Sequence, residues 1–338
     1  MSIGMDTENN LDGHAFVEVN SLKKYFPIQA GIMRKTVGHV KAVDGISFNI
    51  QRGKTIGLVG ESGCGKTTTG RVMLRLQAPT EGSFLFGGTD VFSADRRHLK
   101  RLRTKMQIIF QDPYSSLNPR LPVSEIVGEA MLQHKIVPNR REMKERVIEI
   151  IGKCGLFPEQ AARYPHQFSG GQRQRICIAR ALAVNPEFIV CDEAVSALDV
   201  SIQSQIINLL KDMQDDLGLT YLFISHDLSV VKFISDHVAV MYLGQIVEYG
   251  SKDQIFRSPA HPYTKALLSA APQADPKARA NKKRIIMEGD VPSPANPPSG
   301  CRFHTRCLYA DSTCSDEIPG NKEYETGHFV MCHKAGTL

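Results

Sequence analysis

The chain has 338 residues, of which 42% are hydrophobic and 22% are charged, so it can bury a substantial core, and wholesale disorder is excluded. Its formal net charge of +6 permits contact with nucleic acid or an anionic membrane but demands neither. No apolar run reaches the roughly 18 residues of a membrane-spanning helix, and the polar, acidic start at Met1–His14 does not read as a secretion signal. We therefore expect a chain that stays in the cytosol.

Strand-like and helix-like segments alternate from about Val17 to Tyr249, which predicts an α/β domain with a largely parallel sheet. A helix is predicted to begin after the capping residue Asp199 and to end at Gly218, since apolar residues between them repeat at helical spacing. A hairpin or meander is predicted around Gly244. The predicted buried strands are Thr55–Val59, Phe188–Cys191 and Tyr221–Ser225.

A glycine-rich loop follows the first buried strand and precedes a helical stretch. Its sequence, Gly60-Glu-Ser-Gly-Cys-Gly-Lys66-Thr67, fits the pattern G-x-x-x-x-G-K-[ST], and we name it the phosphate loop. The glycines let successive N–H groups face phosphate oxygens at a helix N-terminus, Lys66 can reach the β- and γ-phosphates, and the Thr67 hydroxyl can ligate Mg²⁺. The predicted nucleotide contacts here are Gly60, Ser62, Gly63, Cys64, Gly65, Lys66, Thr67 and Thr68.

An acidic pair ends the second buried strand. Asp192 is placed to hold Mg²⁺, and Glu193, one residue further on, can polarise an attacking water. An adjacent acidic pair after a strand is also common at helix N-termini that have no catalytic role. The functional interpretation therefore depends on the phosphate loop elsewhere in the same chain.

The segment Phe168–Arg175, which we call the signature segment, resembles the signature sequence of ATP-binding cassette (ABC) ATPases. Ser196–Asp199 is similar to the D-loop of that family, Gln111 to its Q-loop residue and His226 to its switch histidine. The chain departs from the commonest pattern at Phe168, where Leu is usual, and at Ala194 and Val195, where Pro-Thr is frequent. The resemblance covers roughly residues 17–249 and implies an α/β fold, the ABC ATPase (P-loop NTPase) cassette with a helical subdomain.

The resemblance also implies roles for individual residues. Glu193, His226 and Gln111 would be catalytic, while Thr67, Gln111 and Asp192 would hold Mg²⁺. Phe26 would stack on adenine, with Tyr25 in reserve. With one phosphate loop and one signature segment per chain, a complete ATP site needs a second cassette. Nucleotide contacts across that interface would come from Ser169, Gly170, Gly171, Gln172 and Asp199.

A helix-rich insert at Ser124–Leu156 lies between the Q-loop residue and the signature segment. By resemblance it belongs to a helical subdomain of about residues 112–175 that touches a transmembrane partner. The preceding stretch Arg96–Lys105 holds six Lys or Arg, which fits either a solvated helix or contact with anionic headgroups.

Four cysteines follow a proline-rich stretch at residues 291–300: Cys301, Cys307, Cys314 and Cys332. Thiolates suit an iron–sulfur cluster or Zn²⁺, and the spacing alone leaves both metals and free thiols open. The segment His261–Leu268, the prolines and the cysteine run resemble the C-terminal extension of dipeptide/oligopeptide importer ATPases. That resemblance implies a [4Fe–4S] cluster held by the four cysteines, with Zn²⁺ as the alternative.

The predicted organisation is a flexible N-terminus (1–16), a cassette (17–250) and a C-terminal extension (251–338). The overall match, including Gln29–Val40, resembles the second of the two ATPases in such importers. It implies a heterodimer with a paralogous ATPase, two transmembrane permease subunits and an extracytoplasmic peptide-binding protein. The chain would work at the cytoplasmic face of the inner or plasma membrane, using ATP and Mg²⁺ to import di- and oligopeptides.

Three other functions remain open at this point. Some relatives in the family handle nickel or other small solutes. A soluble ABC ATPase acting on nucleic acid usually has two cassettes or a long coiled-coil insertion, whereas only about a hundred residues separate the phosphate loop from the signature segment here, so no nucleic-acid partner is expected. A non-enzymatic nucleotide-sensing clamp would bind ATP without turnover.

Overall fold

The computed structural model describes residues 15–32, 34–271 and 285–337. The expected flexible start therefore lies outside the described residues up to His14, as does the basic run at residues 277–284. No helix in the described ranges is both long enough and apolar enough to cross a membrane.

The structure alternates strands and helices as the sequence predicts. The strands are β1 (Val17–Ala30), β2 (Lys35–Ile50), β3 (Thr55–Val59), β4 (Glu81–Phe86), β5 (Thr89–Asp90), β6 (Met106–Ile109), β7 (Phe188–Asp192), β8 (Thr220–Ile224), β9 (His237–Tyr242), β10 (Gln245–Ser251), β11 (Lys322–Glu325) and β12 (His328–Val330). The helices are α1 (Lys66–Met73), α2 (Arg96–Lys105), α3 (Pro113–Ser116), α4 (Val123–Gln133), α5 (Arg140–Lys153), α6 (Gly170–Leu182), α7 (Val200–Leu217), α8 (Leu228–Ile234), α9 (Lys252–Arg257), α10 (Pro262–Ala270) and α11 (Ser312–Asp316).

A mixed sheet with strand order β11-β12-β10-β9-β3-β8-β7-β6 carries the site. Its centre is parallel, with β3 between β8 and β9, because these short apolar strands are buried on both faces as a parallel sheet requires. The carboxyl ends of β3, β7 and β8 therefore meet at one edge. The hairpin predicted around Gly244 is the antiparallel pair β9 and β10.

A second, antiparallel sheet has the order β2-β1-β4-β5 and packs over α1 and the central strands through a shared apolar cluster. The long hairpin of β1 and β2 places Tyr25 and Phe26 on this side of the molecule. It also brings Ala42 and Asp44 of β2 to the back of the phosphate loop.

A helical layer lies beside the sheet and contains α4, α5 and α6, of which α4 and α5 form the helix-rich insert predicted at Ser124–Leu156. Gly128 of α4 lets the helix approach Met143 of α5 closely, because a Cβ at residue 128 would stand 2.5 Å from that side chain. In the same way, Gly171 lets the start of α6 pack against Ile202 of α7. This packing fixes the position of the first turn of α6 relative to α7.

The C-terminal residues continue the main sheet, since β12 pairs with β10 at Glu248↔Val330 and Tyr249↔Phe329. The junction is reinforced inside the protein, where Glu248 and His328 are both fully buried and lie 2.8 Å apart. The second Glu248 oxygen accepts the N–H of His261 at 3.0 Å. Because an unpaired buried carboxylate is costly, these partners make Glu248 a fixed anchor for the tail.

Candidate active site

The phosphate loop joins β3 to α1 and is held by close backbone contacts. Gly60 has φ +153° and Gly65 has φ +111°, conformations that favour glycine. A Cβ at residue 60 would lie 2.1 Å from the Met241 carbonyl oxygen, and a Cβ at residue 65 would lie 2.1 Å from that of Ala42. The loop therefore requires glycine at both residues, because the neighbouring backbones leave no space for a side chain.

Lys66 is folded back over this loop. Its Nζ donates to the carbonyl oxygens of Gly60 at 2.8 Å and Glu61 at 2.9 Å, and the residue is only 4% exposed. Ser62 and Gly63 face solvent at the rim, while Cys64 is buried beneath, and burial raises the pKa of its thiol. The loop thus concentrates a cation and N–H donors at one opening, which suits an anion.

Thr67 and Asp192 form the next part of the site. The Thr67 hydroxyl donates to the Asp192 Oδ1 at 2.6 Å, and Asp192 ends β7 at 2% exposure. Burial raises the pKa of Asp192, and the Thr67 hydrogen bond and nearby Arg71, at 3.8 Å, act in the opposite direction. A hydroxyl and a carboxylate are hard oxygen donors, so the residues fit Mg²⁺. Sequence reasoning missed Arg71, since the motif does not specify it.

Glu193 gathers the other predicted catalytic residues. Gln111 Nε2 donates to Glu193 Oε2 at 2.9 Å, and His226 Nδ1 lies 3.2 Å from the same oxygen. Glu193 has φ +49°, an uncommon conformation for a residue other than glycine, and its N–H donates to the Ile224 carbonyl of β8. The turn after β7 thereby directs the carboxylate toward the residues that follow β6 and β8.

The signature segment is formed at the start of α6 but stands apart from the phosphate loop. Ser169 caps the helix, accepting from Gln172 N at 3.3 Å, while the Gln172 side chain accepts from Ser169 N at 3.1 Å. Ser169 and Asp199 are exposed. Within the described residues, no hydrogen bond of the phosphate loop reaches residues 169–172. One chain therefore presents both surfaces without joining them.

The two rings considered for adenine occupy different surroundings. The Tyr25 hydroxyl donates to Asp44, and burial is the largest cause of its raised pKa. The Phe26 ring lies 4.8 Å from Lys24 Nζ and makes no comparable bond. A lysine lies over the face of each ring, since Lys41 Nζ stands 5.9 Å from the Tyr25 ring centre, so the adenine contact of Phe26 stays a prediction.

The prediction of a [4Fe–4S] cluster is wrong. Cys301, Cys307, Cys314 and Cys332 line one small cavity, but in the described part of the chain no group of three or more His, Cys, Asp or Glu is arranged to hold a metal ion. Burial raises the pKa of the Cys301 thiol to about 11. The zinc alternative fails for the same reason, because the described residues include no group of three or more such side chains arranged to hold a metal ion.

Two residues near the site escaped sequence reasoning altogether. The Tyr263 hydroxyl and the Arg306 guanidinium both contact Glu61, the second residue of the phosphate loop. They lie some two hundred residues further along the chain, and no local pattern connects them to the loop. The one signal in the sequence is the negative charge of Glu61 inside the motif, which indicates a basic partner.

Comparisons with known proteins show what this chain is similar to. Residues 43–196 match the family described as "ABC transporter", and residues 247–314 match "Oligopeptide/dipeptide transporter, C-terminal region". The oligopeptide transport ATP-binding protein AppF of Bacillus subtilis (strain 168) is 52% identical, over 94% of this chain and 96% of AppF. The dipeptide transport ATP-binding protein DppF of Haemophilus influenzae (strain ATCC 51907 / DSM 11121 / KW20 / Rd) is 48% identical, over 92% of this chain and 94% of DppF.

Solved structures share the cassette part. A dimeric post-hydrolysis state of the ATP-binding cassette MJ0796 bound to ADP and Pi matches with a TM-score of 0.62 and 27% identity. That match covers 70% of this chain and 98% of the other. The cbiO1 protein of Clostridium perfringens, part of the ABC transporter complex cbiONQ, matches with a TM-score of 0.61 and 27% identity, over 72% of this chain and 91% of cbiO1.

Proposed function

This chain belongs to the ATP-binding subunits of ABC transporters, in the oligopeptide/dipeptide transport group, and we propose that it binds and hydrolyses ATP to drive uptake of di- or oligopeptides. The observation that carries the ATPase assignment is the convergence of Gln111 and His226 on one oxygen of Glu193, beside the Thr67–Asp192 pair. The names of the relatives support the peptide cargo.

The phosphate loop would bind the nucleotide. Its N–H groups and the N-terminus of α1 would face the triphosphate, and Lys66 would leave the Gly60 and Glu61 carbonyls to bind the β- and γ-phosphates. Thr67, Asp192 and Gln111 would hold Mg²⁺, which when bound neutralises charge on the phosphate oxygens. Phe26 is the proposed adenine platform.

Glu193 is the proposed general base. Its carboxylate would take a proton from the water that attacks the γ-phosphorus, while the bond between that phosphorus and the ADP oxygen breaks. Gln111 and His226 hold the same Glu193 oxygen, so they fix the direction from which the water is activated. His226 would also contact the γ-phosphate.

A second cassette would complete each site. The segment that begins at the exposed Ser169 and runs to Gln172 would close, with the exposed Asp199, over the γ-phosphate bound by the partner, so that ATP joins the two cassettes and hydrolysis releases them. Permease subunits are implied by the family. We propose that the second cassette is a paralogous ATPase, and that an extracytoplasmic peptide-binding protein delivers cargo.

The proposed layout follows the predicted boundaries, a cassette at 17–250 with a helical subdomain at about 112–175 and an extension at 251–338. The helical subdomain would touch two permease subunits from the cytoplasmic face of the membrane. Nickel or another small solute is the alternative cargo, because the cassette itself has no contact with cargo.

Substitution of Glu193 by Gln tests the catalytic proposal. In the transporter assembled with its partner ATPase and permeases, and with the partner's own base disabled, E193Q should retain ATP binding while hydrolysis falls by at least about a hundredfold. The matched control is Glu187→Gln, which removes a carboxylate just before β7, at the end of the strand opposite the site. Wild-type turnover by E193Q would overturn the assignment of the base.

A comparison of the uptake of labelled dipeptide with the uptake of nickel by the assembled transporter identifies the cargo.

A further inference from the structure

The C-terminal extension contacts the phosphate loop directly at Glu61. Arg306 forms a two-pronged ion pair with the Glu61 carboxylate, at 2.8 and 3.1 Å, and the two side chains are 7% and 23% exposed. The Tyr263 hydroxyl accepts the Glu61 N–H at 2.9 Å. A forked arginine–carboxylate pair specifies geometry as well as charge, so this contact fixes both the side chain and the backbone of Glu61.

Both contacting side chains are themselves held by packing. Tyr263 belongs to α10, and its ring lies 4.7 Å from that of Tyr242 and 5.4 Å from that of Phe303. The Arg306 guanidinium lies 5.9 Å from the Tyr242 ring centre. Because these aromatic rings are buried, the two groups that reach Glu61 are pre-positioned by the docked extension.

A second connection reaches the other side of the loop. Arg302 of the extension donates to the Leu243 carbonyl oxygen and to Asp44. In the adjoining turn, the Gly244 N–H donates to the Cys64 carbonyl oxygen at 2.9 Å, and the Gly244 carbonyl accepts from Asp44 N at 2.8 Å. The extension therefore supports the turn that supports Cys64.

These contacts leave Glu61 little freedom. Its N–H is bound by Tyr263, its carboxylate by Arg306 and its carbonyl oxygen by Lys66, at 2.9 Å. Neither the Tyr263 contact nor the Arg306 contact involves Lys66, so neither has to break when Lys66 turns toward a phosphate. A loop that is already fixed loses less conformational entropy on binding an anion, so its affinity is higher than that of a loop that must order itself.

We propose that Arg306 and Tyr263 are positioning residues of the phosphate loop, through which the docked extension sets the affinity of the chain for ATP. The inference rests on the proposed function, because it takes residues 60–67 as the phosphate-binding loop. It gives the extension a role at the nucleotide site that requires no metal in the tail.

A double-mutant cycle tests the ion pair. The dissociation constant of Mg·ATP is measured by calorimetry with the full-length chain carrying Arg306→Met, Glu61→Gln or both. Each single variant should bind about tenfold more weakly, and the double variant should be no weaker than either single one, since both remove the same contact. Additive losses would overturn the pairing. Lys334→Met is the matched control, because it breaks the 2.8 Å Lys334–Asp311 pair within the extension and should leave affinity within twofold.

Tyr263→Phe provides a second variant that keeps the ring and removes only the hydroxyl. We expect affinity about fivefold weaker and, in the assembled transporter, a raised KM with kcat within twofold. The control is Tyr221→Phe, which removes a buried hydroxyl bond of 2.9 Å to the Leu210 carbonyl far from the loop. A purely structural role would lower the melting temperature of both variants equally and leave both affinities unchanged.

Lys66→Ala separates failure of this inference from failure of the proposed function. If it retains Mg·ATP affinity, the phosphate-binding assignment itself is wrong. If it loses affinity while Arg306→Met and Tyr263→Phe both stay within twofold of the unaltered chain, only the positioning role is wrong.

Discussion

The glycines of the phosphate loop differ from one another in what constrains them. Gly60 combines φ +153° with a neighbouring carbonyl that would lie 2.1 Å from any Cβ, whereas Gly63 has φ +79° with no atom within 4 Å of that position. Gly63 is therefore constrained by backbone conformation alone, and Gly60 by conformation and by the backbone of Met241. Two glycines of one motif are therefore required for different physical reasons.

Alanine substitution should separate these two constraints. Gly63→Ala should lower the free energy of unfolding by about 1 kcal/mol, the usual cost of left-handed backbone in a residue with a side chain. Gly60→Ala should lower it by at least about 3 kcal/mol, because a rigid carbonyl must move. Urea denaturation of both variants measures the difference, and equal losses would contradict the contact argument.

At the level of elements, α10 ties the extension to the sheet through its cap. His261 is buried, its Nδ1 accepts the N–H of Tyr263 at 3.0 Å, and its ring also hydrogen-bonds to the backbone of Met331. Burial lowers the pKa of His261 from 6.5 to about 4, although the nearby Glu248 carboxylate acts to raise it. The cap works only with the neutral ring, because the protonated Nδ1 cannot accept.

Acid should therefore loosen this junction. The His261 contribution is fully present above about pH 6.5 and is lost as the pH falls toward 4, which amounts to about 3 kcal/mol at about 1.4 kcal/mol per pKa unit. His261→Asn keeps a cap that does not titrate and should flatten the dependence of unfolding free energy on pH across that interval. Substitution of the exposed His166 by Asn is the control, and an unchanged slope in His261→Asn would contradict the assignment.

At the level of the whole molecule, the proposed catalytic residues and the signature segment belong to separate parts of the described chain that no hydrogen bond joins. Residues at the carboxyl edge of the sheet gather around Glu193, while Ser169 lies exposed at the start of α6, which is fixed by packing against α7. On the proposed function, the chain offers half of each of two sites, and the second cassette supplies the remaining halves.

Ser169→Arg should reveal this division. The isolated chain should bind ATP as tightly as before, because its own phosphate loop is unaltered. In the assembled transporter the site built on the partner's loop should fail, so that total hydrolysis falls by about half or more. Calorimetry measures the ATP affinity of the isolated chain, and phosphate release measures hydrolysis by the assembled transporter. Loss of affinity in the isolated chain would show that Ser169 acts within its own subunit.

Much of the site was predictable because its motifs are local. The phosphate loop, the acidic pair after β7 and the cap at Asp199 each depend on neighbouring residues, and the convergence of Gln111, Glu193 and His226 follows from three strands ending at one edge. The cluster prediction failed because cysteine spacing does not report how buried thiols are arranged. The cluster came from the family resemblance, which transfers a ligand set without its geometry, whereas the spacing alone left both metals and free thiols open.

The sequence by itself determined the cassette fold and the residues that we propose bind phosphate and activate water, because short-range pattern, capping and glycine placement specify them. Only the tertiary structure decided that the C-terminal strands extend the main sheet and that Arg306 and Tyr263 reach Glu61. Such contacts join residues that are far apart in the chain. Their geometry is set by how the aromatic cluster and the sheet edge pack, and packing of that kind leaves no periodic trace in the sequence.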